Sequence, residues 1–169
     1  MSELSSRERL QPSLLDRLTD NASDHTRESF DQQSLSMMQL RAAVLRDLAW
    51  LLNTTNLSTD GSLAGAPLTA SSTVNFGVPG FAGSIGTSEK LAGMESGIAE
   101  AIRAFEPRIR PDSLRVKLRP PNGDEPSTSV VFEIQGELWA QPLPQQLFIE
   151  TAIELETRLA VVTETRRRG

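Results

Sequence analysis

"AFEPRIRPDS", Ala104–Ser113, decides how this chain divides. Upstream, Leu91, Met94, Ile98, Ile102 and Phe105 recur at intervals of three and four, one face of a helix. Downstream the period becomes two, with Leu114, Val116 and Leu118 alternating with Arg115, Lys117 and Arg119. A proline pushes the residue before it out of the helical region. Pro107 therefore ends a helix that the pattern places at Thr87 to Phe105, and the stretch is a helix-to-strand corner carrying Glu106, Pro107 and Arg108. Gly93 and Gly97 would let another chain approach this helix closely, while weakening it by about 1 kcal/mol each relative to alanine.

Beyond the corner the chain reads as a β-meander. The connection "PPNGDEPS" holds the turn signal Asn122-Gly123. In the second strand Val130, Phe132, Ile134 and Leu138 alternate with Val131, Glu133, Gln135 and Glu137. After "QPLPQQ" the alternation predicts one long third strand from Leu147 to Val161. Leu147, Ile149, Ile153, Leu155 and Leu159 would face one way, and Glu150, Glu154, Glu156 and Arg158 the other. The outer face is basic on the first strand and acidic on the next two, and opposite charges across strands support pairing.

Before the corner lies another helix, predicted from Ser34 to Leu52, with Leu35, Met38, Ala42, Leu45, Leu48 and Leu52 on its stripe and Asn53-Thr54 breaking it. Residues 54–73, rich in Ser, Thr, Gly and Ala, read as a long exposed loop. In "STVNFGVPGFAGS", Ser72–Ser84, Phe76 and Phe81 are expected to anchor the segment, and its glycines and Pro79 to shape turns. It lacks the Lys-Ser/Thr ending of a phosphate loop. At the start, Leu14, Leu15 and Leu18 mark a short anchor helix, followed by a polar linker over 20–34. The expected architecture is α+β, with N-terminal helices packed on a small three-stranded antiparallel meander. Its parts are an anchor and linker at 1–34, one α+β domain at 35–162 and a basic tail at 163–169.

Composition narrows the function. The 169 residues carry a net charge of −5, which argues against a general nucleic-acid binder. Arg166, Arg167 and Arg168 read as a solvated tail. With no cysteine, disulfides, thiolate catalysis and Cys-ligated zinc are excluded. The single histidine, His25, stands in the polar linker without a metal-ligand or triad setting. The N-terminus lacks an apolar segment of signal-peptide length, and no membrane-spanning run occurs. A cytoplasmic protein without cofactor or metal is the expectation.

Glu106 admits two readings. A glycosidase needs two carboxylates, one of which holds its proton. Arg108 and Arg110 stand beside Glu106, and nearby cations favour an ionised carboxylate, the wrong direction for a general acid. Asp112 is the nearest second carboxylate, but it lies beyond Pro111, and the chain has no tyrosine and two tryptophans to line a sugar cleft. Alternatively, arginine can hold a carboxylate through two parallel hydrogen bonds. The pair would then be a structural joint, within the chain or across an interface.

Four segments in order, "SLLDRL", "RDLAWLLNT" (Arg46–Thr54), "VNFGVPGFAG" (Val74–Gly83) and "IRAFEPRI" (Ile102–Ile109), resemble the TssE family of type VI secretion baseplate subunits, related to a small wedge protein of contractile phage tails. The resemblance covers about residues 11–160. It implies a non-enzymatic part of a baseplate docked at the inner membrane, which helps to assemble the wedge and to start contractile sheath polymerisation. The implied partners are the wedge subunits TssF, TssG and TssK and sheath proteins, without nucleic acid or direct membrane insertion. By carry-over, Glu106, Pro107 and Arg108 would form the assembly motif. The family has also carried a "lysozyme-like" label, so a muramidase using Glu106 is the enzymatic alternative. Gly80 stands where the family usually has an acidic residue, and Phe76 where a hydroxylated aromatic is common. The long last strand marks a sheet edge as the expected partner of a sheath strand, and a proline near Ile153 would then block assembly alone.

Overall fold

The computed structural model describes residues 37–80, 88–119, 129–139, 145–154, 157 and 159–165, together with Leu15 and Leu18. Leu15 and Leu18 are helical and exposed. The rest of the anchor helix, the linker with His25, Phe81, the Asn122-Gly123 turn, Leu155 and the three terminal arginines lie outside the described residues.

The first predicted helix is α1, Met37–Leu52, and the second is α2, Ser88–Phe105. Both keep the faces their periodicity implied. Leu40, Val44, Leu48 and Leu51 are buried on α1, and Met94, Ile98 and Ile102 on α2. On α1 the N-terminal half of the stripe is shifted: Met38 and Ala42 are exposed, and Leu40 and Val44 take the buried positions instead.

The sheet is an antiparallel meander of four strands in the order β1-β2-β3-β4, not three. They are β1 Arg115–Arg119, β2 Ser129–Leu138, β3 Gln145–Glu154 and β4 Ala160–Glu164. The expected long third strand is a hairpin. β3 ends at Glu154 and β4 returns along it, with Ile153 opposite Ala160 and Ile149 opposite Glu164. Glu154 N donates to Leu159 O (3.0 Å), and the Thr157 hydroxyl donates to Glu154 Oε2 (2.7 Å) while accepting from Leu159 N (3.3 Å). Side chains, without glycine or proline, make this turn, and Leu159 is exposed rather than on the apolar face. β4 continues to Glu164, into the span read as tail.

One sheet face forms the core with the helices. Phe132, Ile134 and Leu138 from β2 and Leu147, Ile149 and Ile153 from β3 are buried there. α1 packs on β4 and α2, and α2 on β1. On the outer face Lys117 stands opposite Glu133. Glu133 in turn stands opposite Glu150, and Arg119 reaches across β2 to Glu150 Oε2 (2.5 Å). The basic first strand thus offsets a like-charge pair, as the charge pattern implied.

The segment read as a patternless loop is a chain of tight turns: Leu57–Asp60, a helical turn at Pro67–Ala70, and Thr73–Asn75. Asn75, buried, holds them together. Its Oδ1 accepts from Ser58 N (3.0 Å) and its Nδ2 donates to Ala70 O (2.8 Å). Val78 N donates to Thr54 O (2.8 Å) and Asn56 N to Val78 O (2.9 Å), which ties the segment's end to the end of α1. Gly77 makes that approach possible. It sits at φ 127°, where a Cβ would lie 2.4 Å from Thr54 O. Pro79 then rests on Gly97, so the close approach expected at that glycine comes from within the chain. Gly80 also has a local reason, because a Cβ there would come within 2.6 Å of the Thr59 methyl. Phe76 packs edge-on against Phe105, centroids 5.3 Å apart, and so anchors the segment as expected.

Candidate assembly site

The corner after α2 is built from its backbone outward. Glu106 N still donates to Ile102 O (2.9 Å), so the last helical bond reaches Glu106, and Ile109 N turns back to Glu106 O (3.2 Å). Pro107, exposed, occupies the bend. Trp139 N then donates to Arg108 O (2.8 Å) and Arg110 N to Glu137 O (2.9 Å), on either side of the Ile109–Leu138 bridge. The corner is thereby stitched to the end of β2. Ile109 lies over Gly136, where a Cβ would meet its Cγ2 at 2.8 Å. The Ser113 hydroxyl closes the turn, donating to Arg110 O (2.8 Å) and accepting from Glu137 N (2.8 Å).

Glu106 is 2% exposed. Its Oε1 accepts from Arg108 N (3.1 Å) and Arg108 Nε (2.7 Å), and its Oε2 from Arg108 Nη2 (2.5 Å). The pair predicted from sequence is therefore formed within the chain, as a fork-to-fork grip. The same Nη2 donates to Asp47 Oδ2 on α1 (2.6 Å). Asp47 Oδ1 accepts from Arg46, whose guanidinium lies 5.1 Å from the centre of the exposed Trp50 ring. An alternating chain, Arg46–Asp47–Arg108–Glu106, thus locks α1 to the corner.

Asp47 was not singled out from sequence. It stands 61 residues from Arg108, and only its place in the "RDLAWLLNT" segment marked it. That segment acts at three levels of the fold. Asp47 holds the corner, Thr54 O anchors Val78, and Asn53 clamps β4 through Nδ2 to Ala160 O (2.9 Å) and Ala160 N to Oδ1 (2.9 Å).

Burial works against the charge of Arg108, but the hydrogen bonds and attraction of Glu106, and then of Asp47, outweigh it and raise Arg108 above the usual arginine value. Its charge is a fixed part of the joint. Both oxygens of Glu106 accept hydrogen bonds from Arg108. Asp112, the other carboxylate considered, is exposed beyond Pro111. Arg108 Nη1 is buried without a hydrogen-bond partner among the described residues. Pro107, Arg110 and Trp139, at the same corner, are exposed.

Among the described residues, no group of three metal-ligating side chains is placed to hold an ion, and no helix is long and apolar enough to cross a membrane. Compared with known proteins, the chain matches the family model of baseplate wedge protein gp25 over residues 38–143, more than half its length. That span runs from α1 past β2 and contains the whole corner. No curated protein matches the chain.

Proposed function

Because the chain belongs to the gp25 family of baseplate wedge proteins, we propose that it is a structural subunit of a type VI secretion baseplate, helps to assemble the wedge and initiates sheath polymerisation. The secretion-system assignment rests on the four ordered segments; a wedge of a contractile phage tail fits the family equally well. The observation that supports a structural role for the corner is the consumption of both Glu106 oxygens by Arg108. The pair works as an internal joint that fixes how Pro107, Arg110 and Trp139 are presented. An open sheet edge is the second contact, through which a sheath strand would add by backbone pairing. The expected partners are TssF, TssG, TssK and the sheath proteins, in a cytoplasmic baseplate docked at the inner membrane, with no enzymatic step.

The test is deletion and complementation in the native cell with a fluorescent sheath subunit. Loss of sheath assembly on deletion, restored by the wild-type chain and not by Arg108→Ala, is expected. Normal sheaths in the deletion strain overturn the secretion-system reading, and co-sedimentation of the chain with phage tails instead selects the alternative. Peptidoglycan cleavage by the purified chain, lost in Glu106→Gln, would establish the muramidase.

A further inference from the structure

Among the described residues, β1 and β4 each have no strand on their outer side. Along an antiparallel strand, residues alternate between those bonded to the neighbour and those whose N–H and C=O point away. The bonds Glu154 N to Leu159 O and Thr165 N to Phe148 O set the phase of β4 against β3. Carried through the register, this makes Ala160, Val162 and Glu164 the outward residues of β4, and Val116 and Leu118 those of β1. Each edge is met by a polar side chain, one from just past the end of α1 and one from α2. On β4, Asn53 takes both groups of Ala160, at 2.9 Å each. On β1, Glu95 of α2 accepts from Leu118 N at 2.5 Å.

The two caps are unequal. Asn53 imitates a neighbouring strand, giving and receiving one bond, and β4 is further held where Arg41 pairs with Glu164. Glu95 makes a single bond through a partly exposed side chain, at the rim of a shallow cavity of about 230 Å³ that it lines with Leu91, Ala92 and Leu118. That space lets the carboxylate swing aside and offers room for an apolar side chain of an incoming segment. Arg115 and Lys117 are exposed on the outer face of the same edge.

We infer that β1 is the edge that takes a partner strand and that Glu95 is the plug such a strand displaces. The occupant is an extended segment carrying acidic side chains, matched to Arg115 and Lys117 as opposite charges across strands. Its carbonyl would replace the Glu95 carboxylate on Leu118 N. While the plug is seated it keeps the edge from pairing indiscriminately, the hazard that open edges carry. The inference rests on the reading of the protein as an assembly part with a strand-accepting edge.

The test uses the full chain and a labelled short peptide alternating glutamate and valine, read by fluorescence anisotropy, with amide hydrogen exchange at Leu118. Glu95→Ala should speed exchange at Leu118 and tighten peptide binding by about tenfold. Glu95→Gln, which keeps an accepting oxygen, should behave as wild type in both. In the Glu95→Ala background, Val116→Pro should abolish binding and Val162→Pro should leave it intact, since proline is tolerated where the N–H of an edge strand points outward. Unchanged affinity in Glu95→Ala overturns the plug. Binding lost in Val162→Pro but kept in Val116→Pro overturns the choice of β1 while the assembly reading stands. No peptide binding by any variant, with baseplate proteins still co-purifying with the chain, overturns the inference alone.

Discussion

Arg108→Ala is the most informative perturbation of the joint. It removes two side-chain bonds to Glu106 and one to Asp47. Glu106, at 2% exposure, is left as a buried carboxylate. Breaking a buried pair from one side costs roughly 3–5 kcal/mol, because a charge remains uncompensated. Three features put this case at the lower end. The backbone N–H of residue 108 still reaches Oε1, Asp47 keeps Arg46, and the Arg108 side chain is 24% exposed, so water can enter. A loss of about 3 kcal/mol follows, or about 12 °C in Tm for a domain of this size. Urea unfolding at constant m reads it directly. The double variant Glu106→Met/Arg108→Met removes both charges and should return to within about 1 kcal/mol of wild type. A loss under about 1 kcal/mol in Arg108→Ala would refute the joint, since Glu106 would then reach water without it. Additive losses in the double variant would refute the coupling.

Thr151 is fully buried between Ile149 and Ile153 on β3, and its hydroxyl has no hydrogen-bond partner among the described residues; Thr151→Val should raise stability by about 1 kcal/mol in the same unfolding assay. Gly77→Ala forces a side chain into φ 127° and against Thr54 O, and should cost at least about 2 kcal/mol by thermal melting. Asn53→Ala strips two bonds from Ala160 and should cost about 1–3 kcal/mol, with faster amide exchange confined to the start of β4. Ile153→Pro should leave no folded monomer by circular dichroism, because Ile153 pairs with Val130 on one side and Ala160 on the other. That position belongs to an interior strand, so the edge must be tested at Val116 or Val162 instead.

Periodicity carried most of the fold. α1 and α2 end where Asn53 and Pro107 said they would, and β1 and β2 keep their alternation. The β3–β4 hairpin was hidden because its turn contains no glycine, proline or asparagine. Glu154 and Thr157 make it with side chains, while Leu155 and Leu159 continue the apolar pattern through it. The 54–73 segment was opaque for a related reason. Hydrogen bonds from Ser, Thr and Asn side chains to backbone hold its turns, and these leave no hydrophobic period. Of the site, Glu106 and Arg108 were legible as neighbours across a rigid proline, whereas Asp47 depends on how α1 packs and is invisible to local pattern. The resemblance in the "RDLAWLLNT" and "IRAFEPRI" segments agrees with the matched family, and the joint supplies a physical reason why those two segments belong together.

The central claim, a structural baseplate subunit whose corner is set by the Glu106–Arg108–Asp47 joint, is tested most directly by quantitative affinity purification of the full chain from its native cells. The wild-type chain should bring down the other wedge subunits, and Arg108→Ala at equal expression should recover about tenfold less of them or fewer still. Recovery of no baseplate protein with the wild type, or undiminished recovery with Arg108→Ala, would contradict it.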